Sequence, residues 1–192
     1  MTPRFAALGD VDAIARLHAS RIAEGFLVTL GPAFLRRLYR RVVVSNGSFV
    51  LVVDDGDRVC GFIAVAESTR ALYREYLRRD GLAAAASAAP AIVRAPRAVW
   101  ETLRYGLRGG EGSAGAEILA TGVAEDWGQR GIGTRLVRAA IQELERRGVT
   151  SAHVVTAVGN VAAVRAYEHG GFRISGRKAV HRGVTQELLV WP

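Results

Sequence analysis

Between Glu117 and Phe172 the chain sets an apolar run, a glycine-containing turn and a long amphipathic stretch in immediate succession. The run is Ile118-Leu119-Ala120-Thr121-Gly122-Val123. The turn contains Gly128-Gln129-Arg130-Gly131-Ile132-Gly133-Thr134, and the amphipathic pattern extends from Arg135 to Gly148. A short apolar run followed by helical periodicity reads as strand, turn and helix. A second β-like run, Ser151 to Ala157, follows at once. A helix between two such runs must lay its apolar stripe on a sheet, so the segment demands a layered α/β architecture. The first N–H groups of a helix have no internal partner and sit at the positive end of its dipole. Backbone donors there bind phosphate or pyrophosphate, glycines leave room for the anion, and Arg130 adds a mobile positive charge. Position 136 is leucine and no Gly-Lys-Ser/Thr occurs, which excludes the dinucleotide fingerprint and the nucleotide-hydrolase loop.

The rest of the chain supplies partners for that unit. A short strand is expected near Pro3 to Ala7, then a helix capped by Asp10 with Val11, Ile14, Leu17 and Ile22 on one face. His18 falls on that apolar face and reads as structural. Gly31-Pro32 opens a second helix carrying Phe34, Leu35 and Leu38. Ser48 to Val53 and Arg58 to Ala66, separated by an Asp/Gly-rich turn, predict a hairpin. A helix from Asn160 to His169 and a last hairpin, Phe172 to Val180 and Val184 to Val190 around Arg182-Gly183, complete the chain. The expected fold is one α/β domain over residues 1–192, a mixed and mostly antiparallel sheet with helices on both faces.

Residues 68–112 stand out as an insert between the third and fourth strands. They hold an alanine-rich patch, Pro90, Pro96 and eight arginines against three acids between Arg70 and Arg108. Two or three helices are expected there, forming a solvated cover over a sheet edge, a lid over an acceptor site, or a surface for a partner or an anionic membrane. The apolar run 81–93 is too short, and too interrupted by Pro90, to span a bilayer.

The chain has 192 residues and a net charge of +8, yet only one of its 26 basic residues, Lys178, is a lysine. Arginine and alanine enrichment of this kind reflects a GC-rich coding bias, so the charge does not argue for nucleic acid. A basic surface does attract a polyanionic cofactor. Cys60, the single cysteine, lies in a strand-like run and reads as packing; it fits a reducing, cytoplasmic setting. The N-terminal residues lack the apolar core of a signal peptide.

The loop, with the later segment Asn160-x-x-Ala163-x-x-x-Tyr167-x-x-x-Gly171-Phe172, resembles the GNAT superfamily of acyl-CoA-dependent N-acetyltransferases. The family's pyrophosphate loop reads Arg/Gln-x-x-Gly-x-Gly/Ala after a strand ending in valine; here Val123 precedes Gly128 to Gly133, with glycine in the first position. The resemblance implies acetyl-CoA as cosubstrate, held by the Gln129, Arg130, Gly131, Gly133 and Thr134 region and by Asn160. It implies a β-strand whose main chain at Leu119, Thr121 and Val123 hydrogen-bonds the pantetheine arm. It places a general acid at Tyr167 and a base at Glu117, six residues before Val123, with Glu67 in reserve. No metal is implied. The expected reaction is acetyl transfer to a primary amine by direct attack in a ternary complex, because no activated Cys or Ser is present.

The expected acceptor is a small metabolite or sugar amine; a protein or peptide amine is the alternative. A non-catalytic acyl-CoA-binding module is the competing class. A nucleic-acid binder lacks every expected motif, membrane association is not expected, and a homodimer is compatible with the sequence.

Overall fold

The computed structural model describes residues 1–22, 26–94, 115–179 and 185–192. Two valine-rich runs form its centre. β2 (Ser48–Asp54) and β3 (Val59–Ala66) are buried along nearly their whole length, as strands covered on both faces must be. They pair antiparallel from Ser48 opposite Ala66 to Asp54 opposite Val59. The Asp55 carboxylate accepts from the N–H groups of Asp57 and Arg58 at 3.1 and 2.9 Å, which closes the connecting turn.

The other strands are β1 (Arg4–Phe5), β4 (Ala116–Val123), β5 (Ala152–Ala157), β6 (Arg173–Ala179) and β7 (Thr185–Trp191). Their order in the sheet is β1-β2-β3-β4-β5-β7-β6. The β4–β5 pair is parallel, and the remaining pairs are antiparallel. The expected mixed, mostly antiparallel sheet is thus present. The expected turn at Arg182-Gly183 lies outside the described residues.

Helices α1 (Val11–Arg21), α2 (Phe26–Thr29), α3 (Pro32–Val44), α4 (Thr69–Arg94), α5 (Ile132–Arg146) and α6 (Val161–Glu168) cover the sheet. Asp10 precedes α1, but its carboxylate accepts from the Ala7 N–H at 2.7 Å and from Arg4 instead of capping the helix. Proline opens α3 at its first turn, where its missing N–H costs nothing.

Two cores result, one on each face. On one face α5 buries Ile132, Leu136, Val137, Ala140 and Leu144 against Ile63, Val65 and Ile118. Each buried Ile, Leu or Val side chain contributes roughly 1.5–3 kcal/mol. Gly61 lets α5 approach closely, because a Cβ there would lie 2.8 Å from the Ile132 side chain. On the other face α1 and α3 bury Ile14, Leu35, Tyr39 and Val42 against Val52, Phe62 and Ala64.

The insert is described only as far as Arg94, so the expectation of two or three helices falls partly outside the described residues. Its described part is one continuous helix, α4, which runs through Pro90 to Arg94. A proline removes one helical donor, but the preceding alanine-rich residues have the strongest helical preference and carry the helix through. The described helix does not cover a sheet edge. It packs on α3, burying Tyr76, Ala84 and Ala88 against Leu30, Phe34 and Leu38. Arg41 on α3 ties the pair together, bonding Asp80 at 2.7 Å and Glu75 at 3.4 Å. Among the described residues, no helix is long and apolar enough to cross a membrane.

Candidate active site

The site grows from a disagreement between β4 and its two neighbours. Against β3, β4 pairs along its length, but the register slips between Ala64 and Val65, leaving Leu119 as an extra residue. Such a bulge bends the strand and increases its twist. Against β5, only Ala116–Ala152 and Glu117–His153 are paired. Beyond Glu117 the two parallel strands part. The main chain of β4 from Leu119 to Val123 then has no β5 partner.

The turn after β4 lies at the end of that stretch. A 3-10 turn, Glu125–Trp127, follows Ala124. Gln129 has φ 59° and Gly131 φ 71°, with Arg130 between them at negative φ. Alternating signs of φ point successive N–H groups to one side, a concave nest for an anion. Gly131 is the N-cap of α5, and its left-handed backbone favours glycine. None of the N–H groups from Gln129 to Thr134 makes a main-chain hydrogen bond among the described residues. They are free to serve a ligand. A Cβ at Gly133 would lie 3.4 Å from that of Ala166 on α6, an ordinary contact.

The structure adds two details to the motif. Gly128 replaces the family's Arg/Gln, and a Cβ there would lie 3.1 Å from the Glu125 carbonyl oxygen. The 3-10 turn itself thus leaves little room for a side chain. The Arg130 guanidinium lies 4.5 Å from the centre of the Trp127 ring. Stacking holds this charge beside the nest.

Tyr167 rises from α6 on the α5 face. It is buried, tilted against Phe172, and donates a 3.2 Å hydrogen bond to the Thr121 hydroxyl of β4. Burial raises its pKa, and the bond to Thr121 only partly opposes this, so the phenol keeps its proton at neutral pH. Asn160 caps α6 by accepting from the Ala163 N–H at 3.2 Å.

Glu117 stands on the other face of β4. It is largely buried and accepts a 2.5 Å hydrogen bond from the Thr69 hydroxyl at the start of α4. The His153 Nε2 is 3.9 Å from the same carboxylate oxygen. Sequence reasoning missed both partners. Register alone brings His153 opposite Glu117, and only the fold returns the insert to β4. Glu117 also lines a cavity of about 100 Å³ with His18, Tyr39, Thr69, Tyr73 and Leu119. The reserve residue, Glu67, is held elsewhere, accepting from Arg147 at 2.8 Å near the end of α5. Cys60 is fully buried and its thiol is pushed up to about 11, so it is not a thiolate at neutral pH.

The arrangement can hold a diphosphate at the nest, an extended arm along β4, a carboxylate on one face and a phenol on the other. No group of metal-binding side chains occurs among the described residues. The folds most similar in shape include an aminoglycoside acetyltransferase, AAC(6′)-Ib, solved with ribostamycin and coenzyme A: 18% identity, TM-score 0.65, covering 99% of this chain and 92% of that one. The spermidine N-acetyltransferase of Vibrio cholerae shares 16% identity at TM-score 0.62, covering 100% and 94%. A ribosomal-protein-alanine N-acetyltransferase from Brucella melitensis shares 17% at TM-score 0.63, covering 99% and 98%. A search of curated proteins finds no match in sequence. The Acetyltransferase (GNAT) family matches residues 20–172, a span that begins in α1 and ends just past α6, taking in the parted strands, the nest and Tyr167. With four-fifths of its length matched, the chain belongs to the GNAT family of acetyltransferases.

Proposed function

We propose that the protein transfers an acetyl group from acetyl-CoA to a small primary amine. The observation that carries this reading is the parting of β4 from β5 beyond Glu117, with the nest at one end and Glu117 and Tyr167 on opposite faces. The residues fit the cofactor: unused N–H groups at Gln129 to Thr134 suit its diphosphate, and the main chain of Leu119, Thr121 and Val123 suits its amides. Bound acetyl-CoA supplies a thioester carbonyl and a thiol leaving group.

The chain's residues do the rest. Glu117 takes a proton from the acceptor ammonium, directly or through a water, which frees the nitrogen lone pair. Thr69 orients the carboxylate by donating to one oxygen. The amine nitrogen bonds to the thioester carbon, and the carbon–sulfur bond breaks. Tyr167 turns its proton from Thr121 to the departing sulfur, and the phenolate recovers a proton, directly or through a water, from the nitrogen that becomes the amide. Because of the bulge, Glu117 and Thr121 are three register steps apart along β3, about 10 Å, with their side chains on opposite faces of β4.

The cavity beside Glu117 favours a small amine over a peptide, since α1, α3 and α4 all contribute to its wall. The neighbour acting on ribosomal-protein alanine supports the competing reading, a protein N-terminus. Thiol release from acetyl-CoA against small amines, amino sugars, polyamines and peptides tests both. Turnover confined to small amines is expected. Turnover of peptides alone would favour the competing reading, and micromolar acetyl-CoA binding without any thiol release would favour a binding module.

A further inference from the structure

The acceptor side of the site contains a polar group with no assigned task. His18 lines the same cavity as Glu117 and is 3% exposed. Its Nδ1 lies 2.6 Å from the Tyr39 hydroxyl. Its ring stacks near Phe62, with centroids 6.4 Å apart. Its Nε2 is buried and has no hydrogen-bond partner among the described residues. A buried polar atom without a partner is costly, and in a native fold it calls for an explanation. A purely structural histidine at this position would be expected to satisfy both nitrogens.

The chemistry of the pair assigns the tautomer. A phenol is the better acid and an imidazole nitrogen the better base, so Tyr39 donates to Nδ1. Burial keeps the Tyr39 proton in place far above neutral pH. The hydrogen of the neutral ring therefore sits on Nε2, which becomes a donor. Burial also holds the His18 pKa down to about 4, so at neutral pH the ring does not repel an incoming ammonium.

The remaining lining limits what that donor can meet. Among the described residues that line the cavity, Glu117 is the single carboxylate, and Leu38, Val42, Leu72 and Ala120 supply apolar wall. A polyamine or a sugar with several ammonium groups would need more than one acid.

Resting on the acetyltransferase reading above, we propose that His18 is a specificity-determining residue whose Nε2–H donates to a neutral oxygen on the acceptor. The acceptor class is a short primary amine with an ether, hydroxyl or carbonyl oxygen a few bonds from its nitrogen. Sites that donate to a substrate oxygen reject analogues lacking it, because the donor is then left buried and unpaired.

The test uses two amines of equal length, 2-methoxyethylamine and n-butylamine, which differ by oxygen for methylene. Wild-type protein is expected to show kcat/KM about tenfold higher for the ether amine, mainly through KM. His18→Phe should bring the ratio to about one and leave acetyl-CoA affinity unchanged. His18→Gln, which restores a donor, should recover part of the preference. Should His18→Phe fail to fold, Tyr39→Phe, which removes the lock on the tautomer, should lower the ratio about threefold. The His18 Nε2 nitrogen resonance should report a protonated nitrogen in the free protein and shift on adding 2-methoxyethylamine but not n-butylamine. Equal use of the two amines by wild type, or a preference that survives His18→Phe, overturns the proposal while leaving the acetyltransferase reading intact. Absence of thiol release with every amine tested overturns both.

Discussion

The two faces of β4 are built by different means. On the α5 face the proposed cofactor side is mainly backbone: a bulged strand, a nest of N–H groups and a helix start, with Tyr167 and Thr121 as its principal side chains. On the α1 face the proposed acceptor side is mainly side chains, brought by α1, α3, α4 and β4 from positions separated widely in sequence. A backbone site depends on glycines and dihedrals at fixed spacing, so it leaves a motif. A side-chain site depends on packing between elements, and it can change its chemistry without disturbing the frame.

That contrast can be broken by substitution. The largest effect is expected at Glu117→Gln, which should lower kcat about a thousandfold while leaving acetyl-CoA affinity within twofold. Parallel loss of affinity in calorimetry would show that the two faces are not separable. Tyr167→Phe should cost about a hundredfold in kcat, again with little change in binding. Equal losses in both would reduce Tyr167 to packing.

The next effect concerns pH. The folded pKa of His18 is lowered to about 4 by burial, so the unfolded chain binds its proton first. Stability should be full above about pH 6.5 and fall by about 3 kcal/mol as the pH drops to about 4. Comparing urea unfolding of wild type and His18→Phe at pH 7 and pH 4.5 isolates this contribution. An identical pH slope in the two proteins would contradict it.

Smaller effects belong to the backbone side. Gly131→Val places a β-branched residue at φ 71° and should weaken acetyl-CoA binding about tenfold, since the left-handed backbone costs ~1–2 kcal/mol. Arg130→Ala should weaken it only about threefold, and the difference should shrink as salt is raised. A larger loss for Arg130 than for Gly131 would mean that the side chain, not the nest, holds the diphosphate.

Legibility follows the same divide. The hairpin at Ser48 to Ala66, the strand into the loop and the helix bearing Tyr167 were readable, because periodicity and turn chemistry are local. The resemblance rested on residues that serve the backbone site. The bulge at Leu119 left no mark, since its cause is a register set by β3. Thr69 and His153 were missed because they reach Glu117 through topology rather than spacing. His18 was read as structural, and its bond to Tyr39 accords with that for one nitrogen only. The helix through Pro90 shows an alanine-rich stretch outweighing a local breaker. Its seat on α3 was hidden because an insert's partner lies far away in sequence.

The central claim is that N–H groups at Gln129 to Thr134 and the free edge of β4 take the cofactor. Titration of nitrogen-15-labelled protein with acetyl-CoA tests it directly. The account predicts saturation in the micromolar range, with the largest amide shifts at residues 129–134 and 119–123. Unchanged amides across those residues at millimolar acetyl-CoA would contradict it.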